Sequence, residues 1–130
     1  MVLDTSAVVA ILRKEPERET FAELLAKARD PLISAATLFE CSMVQAKFDE
    51  GWVDLDDLIQ ATGIRVAAVD VAQAHAAREA WLRYGKGNGP AGLNFGDCVS
   101  YALAKTTGRP LLFKGDDFAR TDVVPATGTG

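Results

Sequence analysis

The chain has few of the residues that hold transition metals or form disulfides. Its 130 residues include one histidine and two cysteines, and Cys41 and Cys98 lie far apart with no CxxC spacing. A structural zinc ion takes four Cys, His or acidic ligands, usually in closely spaced pairs, so no zinc site is expected. Both cysteines lie in apolar helical patterns, and we expect them to be small core residues in a reducing compartment.

Long apolar runs are also lacking. No stretch reaches the roughly 18 apolar residues that a membrane-spanning helix needs. The segment Met1–Asp4 shows no basic region followed by a long apolar stretch, so no secretory signal is expected. Together with the cysteine usage, this predicts a cytoplasmic protein with no membrane partner.

The chain has fewer basic than acidic residues: 14 Lys and Arg compared with 18 Asp and Glu, so its net charge is −4. This balance argues against a broad electrostatic affinity for nucleic acid. Hydrophobic residues make up 48% of the chain, which excludes intrinsic disorder. The length fits one domain with a single core.

Short, continuous apolar runs alternate with helical patterns along the chain. Such runs are typical of parallel strands covered on both faces, so we predict a three-layer α/β fold with a short-stranded, mostly parallel central sheet flanked by helices. We place the domain at residues 1–124 and expect a loose tail at 125–130. The predicted strands are 2–3, 31–33, 64–69, 111–113 and an edge strand at 123–124; the predicted helices are 7–14, 16–29, 37–50, 54–62, 71–84 and 96–107, with a glycine-rich loop at 85–95.

Carboxylates stand where α/β folds place their sites, beyond the carboxyl ends of strands. Asp4 follows the first predicted strand, and Asp116 and Asp117 follow the fourth. Each also has a structural explanation, because aspartate is a preferred helix N-cap residue and is common in turns. Asp97 opens a predicted helix, where its charge would favour the positive helix end.

Glu40 is harder to explain as a structural residue. On its predicted helix it shares a stripe with Ala36, Met43, Val44 and Phe48, so the pattern predicts that Glu40 points toward the interior. An isolated ionised carboxylate there would carry a large desolvation cost unless a cation or metal paired with it. An arginine partner and a position at the rim of the stripe are the alternatives.

Several unneutralised carboxylates would not meet in one crevice without a cation. Hard oxygen donors with no His or Cys suit Mg²⁺ or Mn²⁺. An ion held by carboxylates, with waters completing its coordination, can activate water for hydrolysis of a phosphodiester bond. The acids together therefore indicate a metal-dependent phosphodiesterase.

Four segments carry a resemblance to PIN-domain proteins of the VapC toxin ribonuclease type, and the resemblance covers nearly the whole chain. They are MVLDTSA at 1–7, ISAATLFE at 33–40, GLNFGDC at 92–98 and PLLFKGDDF at 110–118. The resemblance implies a PIN-like fold with an acidic pocket and endonucleolytic cleavage of RNA that depends on Mg²⁺ or Mn²⁺. It also implies a small antitoxin partner, a homodimer and a toxin–antitoxin hetero-oligomer.

Residue by residue, the resemblance implies a set of catalytic acids. Asp4, Glu40 and Asp97 match the first three, and the fourth is Asp117 or Asp116, of which we prefer Asp117 because it directly precedes the phenylalanine. Asp4 and Asp97 would hold the metal, and the other acids would complete the site.

Further residues take supporting roles by the same resemblance. Ser6 matches a hydroxyl residue that supports the metal site, and Asn94 would orient Asp97. Lys114 stands where relatives often have Thr or Ser, which puts a hydroxyl contact there in doubt. Lys114, Lys86 and Arg13 are candidate contacts for RNA phosphates.

Three other readings compete with a ribonuclease. An aspartate-nucleophile phosphatase needs a second aspartate two positions after the first, where this chain has Ser6. A receiver-type phosphoacceptor domain needs an acidic pair at the end of the first strand, where only Asp4 stands. A catalytically inactive PIN-like module that binds an antitoxin or RNA stays open as the alternative.

Overall fold

Four short strands form a parallel sheet at the centre of the protein, in a computed structural model that describes residues 1–128. The strands lie in the order β3-β2-β1-β4. The elements are β1 (Val2–Leu3), α1 (Thr5–Leu12), α2 (Arg18–Lys27), β2 (Leu32–Ser34), α3 (Ala35–Gln45), α4 (Gly51–Thr62), β3 (Arg65–Ala67), α5 (Val71–Tyr84), α6 (Phe95–Thr107) and β4 (Leu111–Leu112).

The inner strands pair with neighbours on both sides. Val2 of β1 lies opposite Leu32 on one side and Leu111 on the other. All residues of β1, β2 and β4 are buried. Strand order reverses beside β1, so the carboxyl ends of β1, β2 and β4 open onto one crevice, the place where open α/β sheets hold their sites.

Alternation along the strands separates two apolar layers. Leu3, Ile33 and Leu112 point into one layer, which α1, α2, α3 and α4 cover. The residues that precede them, Val2, Leu32 and Leu111, point into the other, which α5 and α6 cover. Because successive side chains of a strand point to opposite faces, each strand feeds both layers, and the predicted three-layer α/β architecture is confirmed.

Helix boundaries depart from the sequence prediction mainly where the chain turns. α1 begins at Thr5, directly after its N-cap, and α3 ends at Gln45 rather than at Glu50. Glu50 has a positive φ of 56°, which a continuing helix does not allow. A side chain at Gly51 would overlap the carbonyl of Gln45, so this close approach of the backbone requires glycine.

The chain after β4 forms hydrogen bonds with the edge of the sheet. No strand forms at 123–124 within the described part of the chain; instead Leu111 forms one parallel bridge with Pro125. Leu111 donates to the Val124 carbonyl at 2.8 Å and accepts from the Ala126 amide at 2.8 Å. These bonds join Pro125 and Ala126, the start of the expected loose tail, to the edge of β4, and residues 129–130 of that tail lie outside the described residues.

The two cysteines are buried and unpaired, which confirms the expectation of core residues. Burial raises the pKa of the Cys41 thiol to about 12, so this thiol is unreactive at neutral pH. Within residues 1–128, no helix has the length and apolar character needed to cross a membrane.

Candidate active site

Asp4 leaves the end of β1 and acts as the N-cap of α1. Its Oδ2 accepts hydrogen bonds from the Ser6 amide at 3.1 Å and from the Ser6 hydroxyl at 2.6 Å. The side chain is 4% exposed and still lines an open cleft. Asp4 is therefore both the N-cap of α1 and a residue of the cleft, and the capping role does not remove its carboxylate from the cleft.

Ser100 holds the other oxygen of Asp4, and the sequence analysis missed it. Its hydroxyl donates to Asp4 Oδ1 at 2.6 Å, and its oxygen lies 3.3 Å from the hydroxyl of Thr37. Both hydroxyl residues are buried. The signal that could have found Ser100 is its spacing, since it lies one helical turn after Asp97 and shares its face of α6.

Asp97 sits in the first turn of α6 and is 8% exposed. It forms a capping box with Asn94, in which each side chain accepts a hydrogen bond from the amide of the other residue. Burial raises the pKa of Asp97 to about 7, and the negative charges of Asp4, Asp117 and Glu40 add to that rise, whereas the Asn94 amide opposes it.

Glu40 reaches the same cleft, but the reason given by the sequence pattern is wrong. The buried face of α3 consists of Thr37, Cys41 and Gln45, and Met43 from the expected stripe is 56% exposed. Glu40 is half-buried beside that face and lines the cleft. The sequence pattern places the apolar stripe that contains Glu40 on the core-facing side of α3, but Glu40 and Val44 of this stripe line the cleft.

Two neighbours fix the Glu40 carboxylate. The Thr5 hydroxyl donates a hydrogen bond to Glu40 Oε1. A Cβ at Gly96 would overlap the same carboxylate, so Gly96 allows it to approach the first turn of α6. Amides and the positive end of a helix favour negative charge there.

The two aspartates after β4 differ in their contact with the cleft. Asp117 lines the cleft with the other three acids, whereas Asp116 lines neighbouring cavities. Gly115, which precedes the pair, has a φ of 97°, a conformation that favours glycine. Both aspartates line one neighbouring cavity, and Asp117 alone of the two also lines the cleft.

The cleft has a volume of about 470 Å³ and brings four carboxylates to one place. No lysine or arginine within residues 1–128 forms an ion pair with any of the four, which are Asp4, Glu40, Asp97 and Asp117. In the described part of the chain, no three acidic, histidine or cysteine side chains are grouped closely enough to hold a metal. The cleft is thus an anionic site whose acids converge without touching.

The candidate phosphate contacts occupy different environments. Lys114 Nζ pairs with Glu15 at 2.9 Å and Glu17 at 3.3 Å, and its amide donates to Ser6 Oγ at 2.9 Å. Lys86 is exposed in the 85–95 loop and does not line the cleft. Arg13 is exposed just beyond the end of α1, where its guanidinium lies over a phenylalanine ring.

Known proteins share the fold and much of the sequence of this chain. The PIN domain family model matches residues 1–124. The chain belongs to the PIN-domain family. Within that family it is 52% identical to a protein named Ribonuclease VapC from Mycolicibacterium smegmatis, over 95% of this chain and 97% of that one. It is 47% identical to Ribonuclease VapC30 from Mycobacterium tuberculosis, over 95% of each chain.

Solved structures share the PIN fold at low sequence identity. One is a crystal structure of VapBC2 from Rickettsia felis bound to a DNA fragment from its promoter, with a TM-score of 0.76 at 18% identity over 95% of this chain and 94% of that one. Another is Mycobacterium tuberculosis VapC20, described as a Sarcin-Ricin loop cleaving toxin, with a TM-score of 0.73 at 20% identity over 95% of each chain. PIN ribonucleases of the VapC type generally depend on a divalent metal ion.

Proposed function

We propose that this PIN-domain protein is the toxin ribonuclease of a toxin–antitoxin pair and that it hydrolyses RNA phosphodiester bonds with water. The observation that carries the proposal is the convergence of four acids, none paired with a lysine or arginine of the described chain, in one open cleft at the carboxyl ends of the strands. The curated relatives, at 47–52% identity, bear the name of VapC ribonucleases.

The chemistry of the donors suits Mg²⁺, with Mn²⁺ as a substitute, although in residues 1–128 no three of these side chains are grouped closely enough to hold the ion without moving. All four groups are carboxylates, and these cations prefer oxygen ligands. Burial is the main cause of the raised pKa of Asp97, and the charges of Asp4, Asp117 and Glu40 add to it; a divalent cation would offset both effects by favouring the ionised form. We assign Asp4 and Asp97 to hold the ion, and Glu40 and Asp117 to complete the site; Asp116 is disfavoured because it lies outside the cleft. When bound, the ion lowers the pKa of water and stabilises charge on the phosphate.

The protein's own groups would hold these acids in place. Ser6 and Ser100 each donate a hydrogen bond to one oxygen of Asp4. Asn94 fixes Asp97 through the capping box, and Thr5 fixes Glu40. Orientation of ligands in advance reduces the cost of assembling the site. Within residues 1–128, no Ser or Cys in the cleft has a histidine beside it, so water is the nucleophile that the site suits.

The charge balance of the chain agrees with this proposal. Without the four acids, 18 − 4 = 14 acidic residues remain against 14 basic residues. The acidic excess thus equals the charge of the proposed metal site, and a divalent ion would offset much of it. Binding of RNA to the metal-free protein is expected to be weak.

An antitoxin partner also follows from the anionic cleft. A protein tail that carries arginine or lysine would complement the four carboxylates and block the site. The likeness to VapBC2 agrees with such a complex. We further propose a homodimer, assembly with the antitoxin into a hetero-oligomer, and a cytoplasmic location where RNA is accessible.

RNA cleavage with controlled metal content tests the proposal. Wild-type protein is incubated with structured RNAs in Mg²⁺, in Mn²⁺ or in EDTA, beside Asp4→Asn and Asp97→Asn. Asp57→Asn is a matched control, because Asp57 is an exposed carboxylate on α4. We expect cleavage by wild type and by the control with metal only, and little by the other two variants. Equal cleavage by all proteins would exclude the metal site, and no cleavage by wild type would favour an inactive binding module.

A further inference from the structure

Helices α1 and α3 form a wall that leads away from the acids. Thr5 and Glu40 meet at the catalytic end of this wall. One turn further along each helix, Val9 and Val44 both line the cleft. The wall is therefore continuous from the acids outward, and it is apolar in its second turn.

Arg13 and Phe48 meet where this wall ends. The Arg13 amide donates to the Val9 carbonyl at 2.7 Å, so Arg13 lies one turn beyond Val9 on the same face. Phe48 lies four positions after Val44, in the turn that follows α3. The Arg13 guanidinium carbon lies 3.5 Å from the centre of the Phe48 ring. Neither residue lines the cleft itself, so this contact places a planar cation one helical turn beyond the valines of the cleft wall.

The charge of Arg13 is free for a ligand. Arg13 is exposed, and no ion pair links it to a carboxylate of residues 1–128. Lys47 adds a second cation, with its Nζ 5.6 Å from the Phe48 ring centre. Glu15, an acid that also lines the cleft, pairs with Lys114 at 2.9 Å and not with Arg13. Asp49 follows Phe48 without pairing with Arg13.

We propose that Arg13 and Phe48 form a subsite for a nucleotide of the RNA strand about three positions from the cleavage point; this inference rests on the proposed RNA substrate. One face of the guanidinium packs on Phe48 and the other can stack on a base, while its N–H groups suit a phosphate. Eight helical residues separate Thr5 from Arg13, a rise of about 12 Å. That span matches about three stacked nucleotides at roughly 3.4 Å each.

RNA suits this subsite better than a protein tail does. A tail that complements the acidic cleft must be positively charged, and Arg13 and Lys47 would repel it. The phosphates of an RNA strand would be attracted by Arg13 and Lys47, and only the phosphate at the four carboxylates would need the metal ion to offset repulsion. Along the wall, the carboxylates that would hold the metal lie at one end and the cations Arg13 and Lys47 lie at the other. One RNA strand could contact both ends.

Binding and cleavage of an RNA pool test the subsite. The probe is a fluorescent hairpin pool with a randomised loop, and binding is followed by anisotropy in EDTA, on wild type and on Asp97→Asn. Arg13→Ala and Phe48→Leu are introduced into each background, with Arg78→Ala, an exposed arginine of α5, as the charge-matched control. Steady-state cleavage by the same variants without Asp97→Asn gives kcat and KM.

We expect Arg13→Ala to weaken RNA binding about tenfold and to raise KM about tenfold, with kcat nearly unchanged. Phe48→Leu should change affinity and KM in the same direction by a smaller factor. Arg78→Ala should change affinity and KM by no more than about twofold. Arg13→Lys is expected to restore the salt dependence of binding without restoring the full affinity. Equal losses for Arg13→Ala and Arg78→Ala would overturn the subsite, as would wild-type KM in Arg13→Ala. A labelled hexaglutamate peptide is the second probe in the same anisotropy assay, and its loss of binding to Arg13→Ala without loss of RNA binding would assign the pair to an acidic protein ligand. If wild type cleaves no RNA, the proposed function fails instead, and the anisotropy in EDTA still decides the subsite.

Discussion

Replacing Asp97 with asparagine is expected to stabilise the metal-free protein at neutral and alkaline pH. In the folded chain, burial and the charges of Asp4, Asp117 and Glu40 raise the pKa of Asp97 from 3.8 to about 7. Between these two values the folded protein keeps a proton on Asp97 that the unfolded chain releases. The free energy of unfolding therefore falls as pH rises through this window and levels off above pH 7.

The size of the effect follows from the shift. About three pKa units at roughly 1.36 kcal/mol each amount to a destabilisation of up to about 4 kcal/mol above pH 7. Asparagine has nearly the same shape, and its side-chain oxygen can still accept the hydrogen bond that the Asn94 amide now donates. Asp97→Asn thus removes the charge and keeps the cap, apart from a few tenths of a kcal/mol lost at the helix end.

Urea unfolding of both proteins in EDTA, from pH 4 to pH 8.5, measures this difference. We expect the two proteins to agree near pH 4 and the variant to become more stable by about 2–4 kcal/mol at pH 8. Mg²⁺ should restore stability to wild type and not to the variant, because only the ionised site binds it. Asp57→Asn is the control for the loss of one exposed carboxylate, and its stability should follow that of wild type at every pH. A stability difference between wild type and Asp97→Asn that stays constant with pH would refute the raised pKa of Asp97 in the folded protein.

Three other substitutions test the hydrogen bonds and the close approach that hold the acids. Ser100→Ala removes the 2.6 Å hydrogen bond to Asp4 and should lower metal affinity about 10–100-fold in calorimetric titration, and an unchanged affinity would contradict a positioning role. Gly96→Ala should leave the melting temperature unchanged or higher, because alanine favours a helix, yet should lower RNA cleavage at least about tenfold by displacing Glu40. Thr5→Val should lower kcat while Thr5→Ser preserves it, and equal rates for both would show that the hydroxyl is dispensable.

The fold was largely readable from the sequence. Continuous apolar runs mark buried parallel strands, and the predicted bounds of α5, Val71–Tyr84, match the structure. Helix ends were less predictable: α3 ends at Gln45, and the turn that follows it reaches a positive φ at Glu50, a residue with no local preference for that conformation. The pairing of Pro125 with Leu111 depends on a sheet edge that no local pattern reveals.

The site was readable in its acids and not in their supports. Asp4 and Asp117 follow strands and Asp97 opens a helix, whereas Glu40 lies in the middle of α3 and was indicated by the resemblance of residues 33–40 to PIN-domain proteins. Ser100 and Thr37 are ordinary core hydroxyls in sequence, and only the crossing of α3 and α6 beside β1 places them behind Asp4. Lys114 offered a free cation in sequence, whereas in the fold two glutamates from the α1–α2 connection neutralise it.

A crystal structure with Mn²⁺, phased on its anomalous signal, tests the central claim that the acids of this cleft hold a catalytic cation. We predict an anomalous peak in the cleft, within about 2.0–2.4 Å of carboxylate oxygens of Asp4 and Asp97, with Glu40 and Asp117 facing it. A cleft without a peak at saturating Mn²⁺, or a peak bound by Asp116 and not by Asp4, would contradict the account.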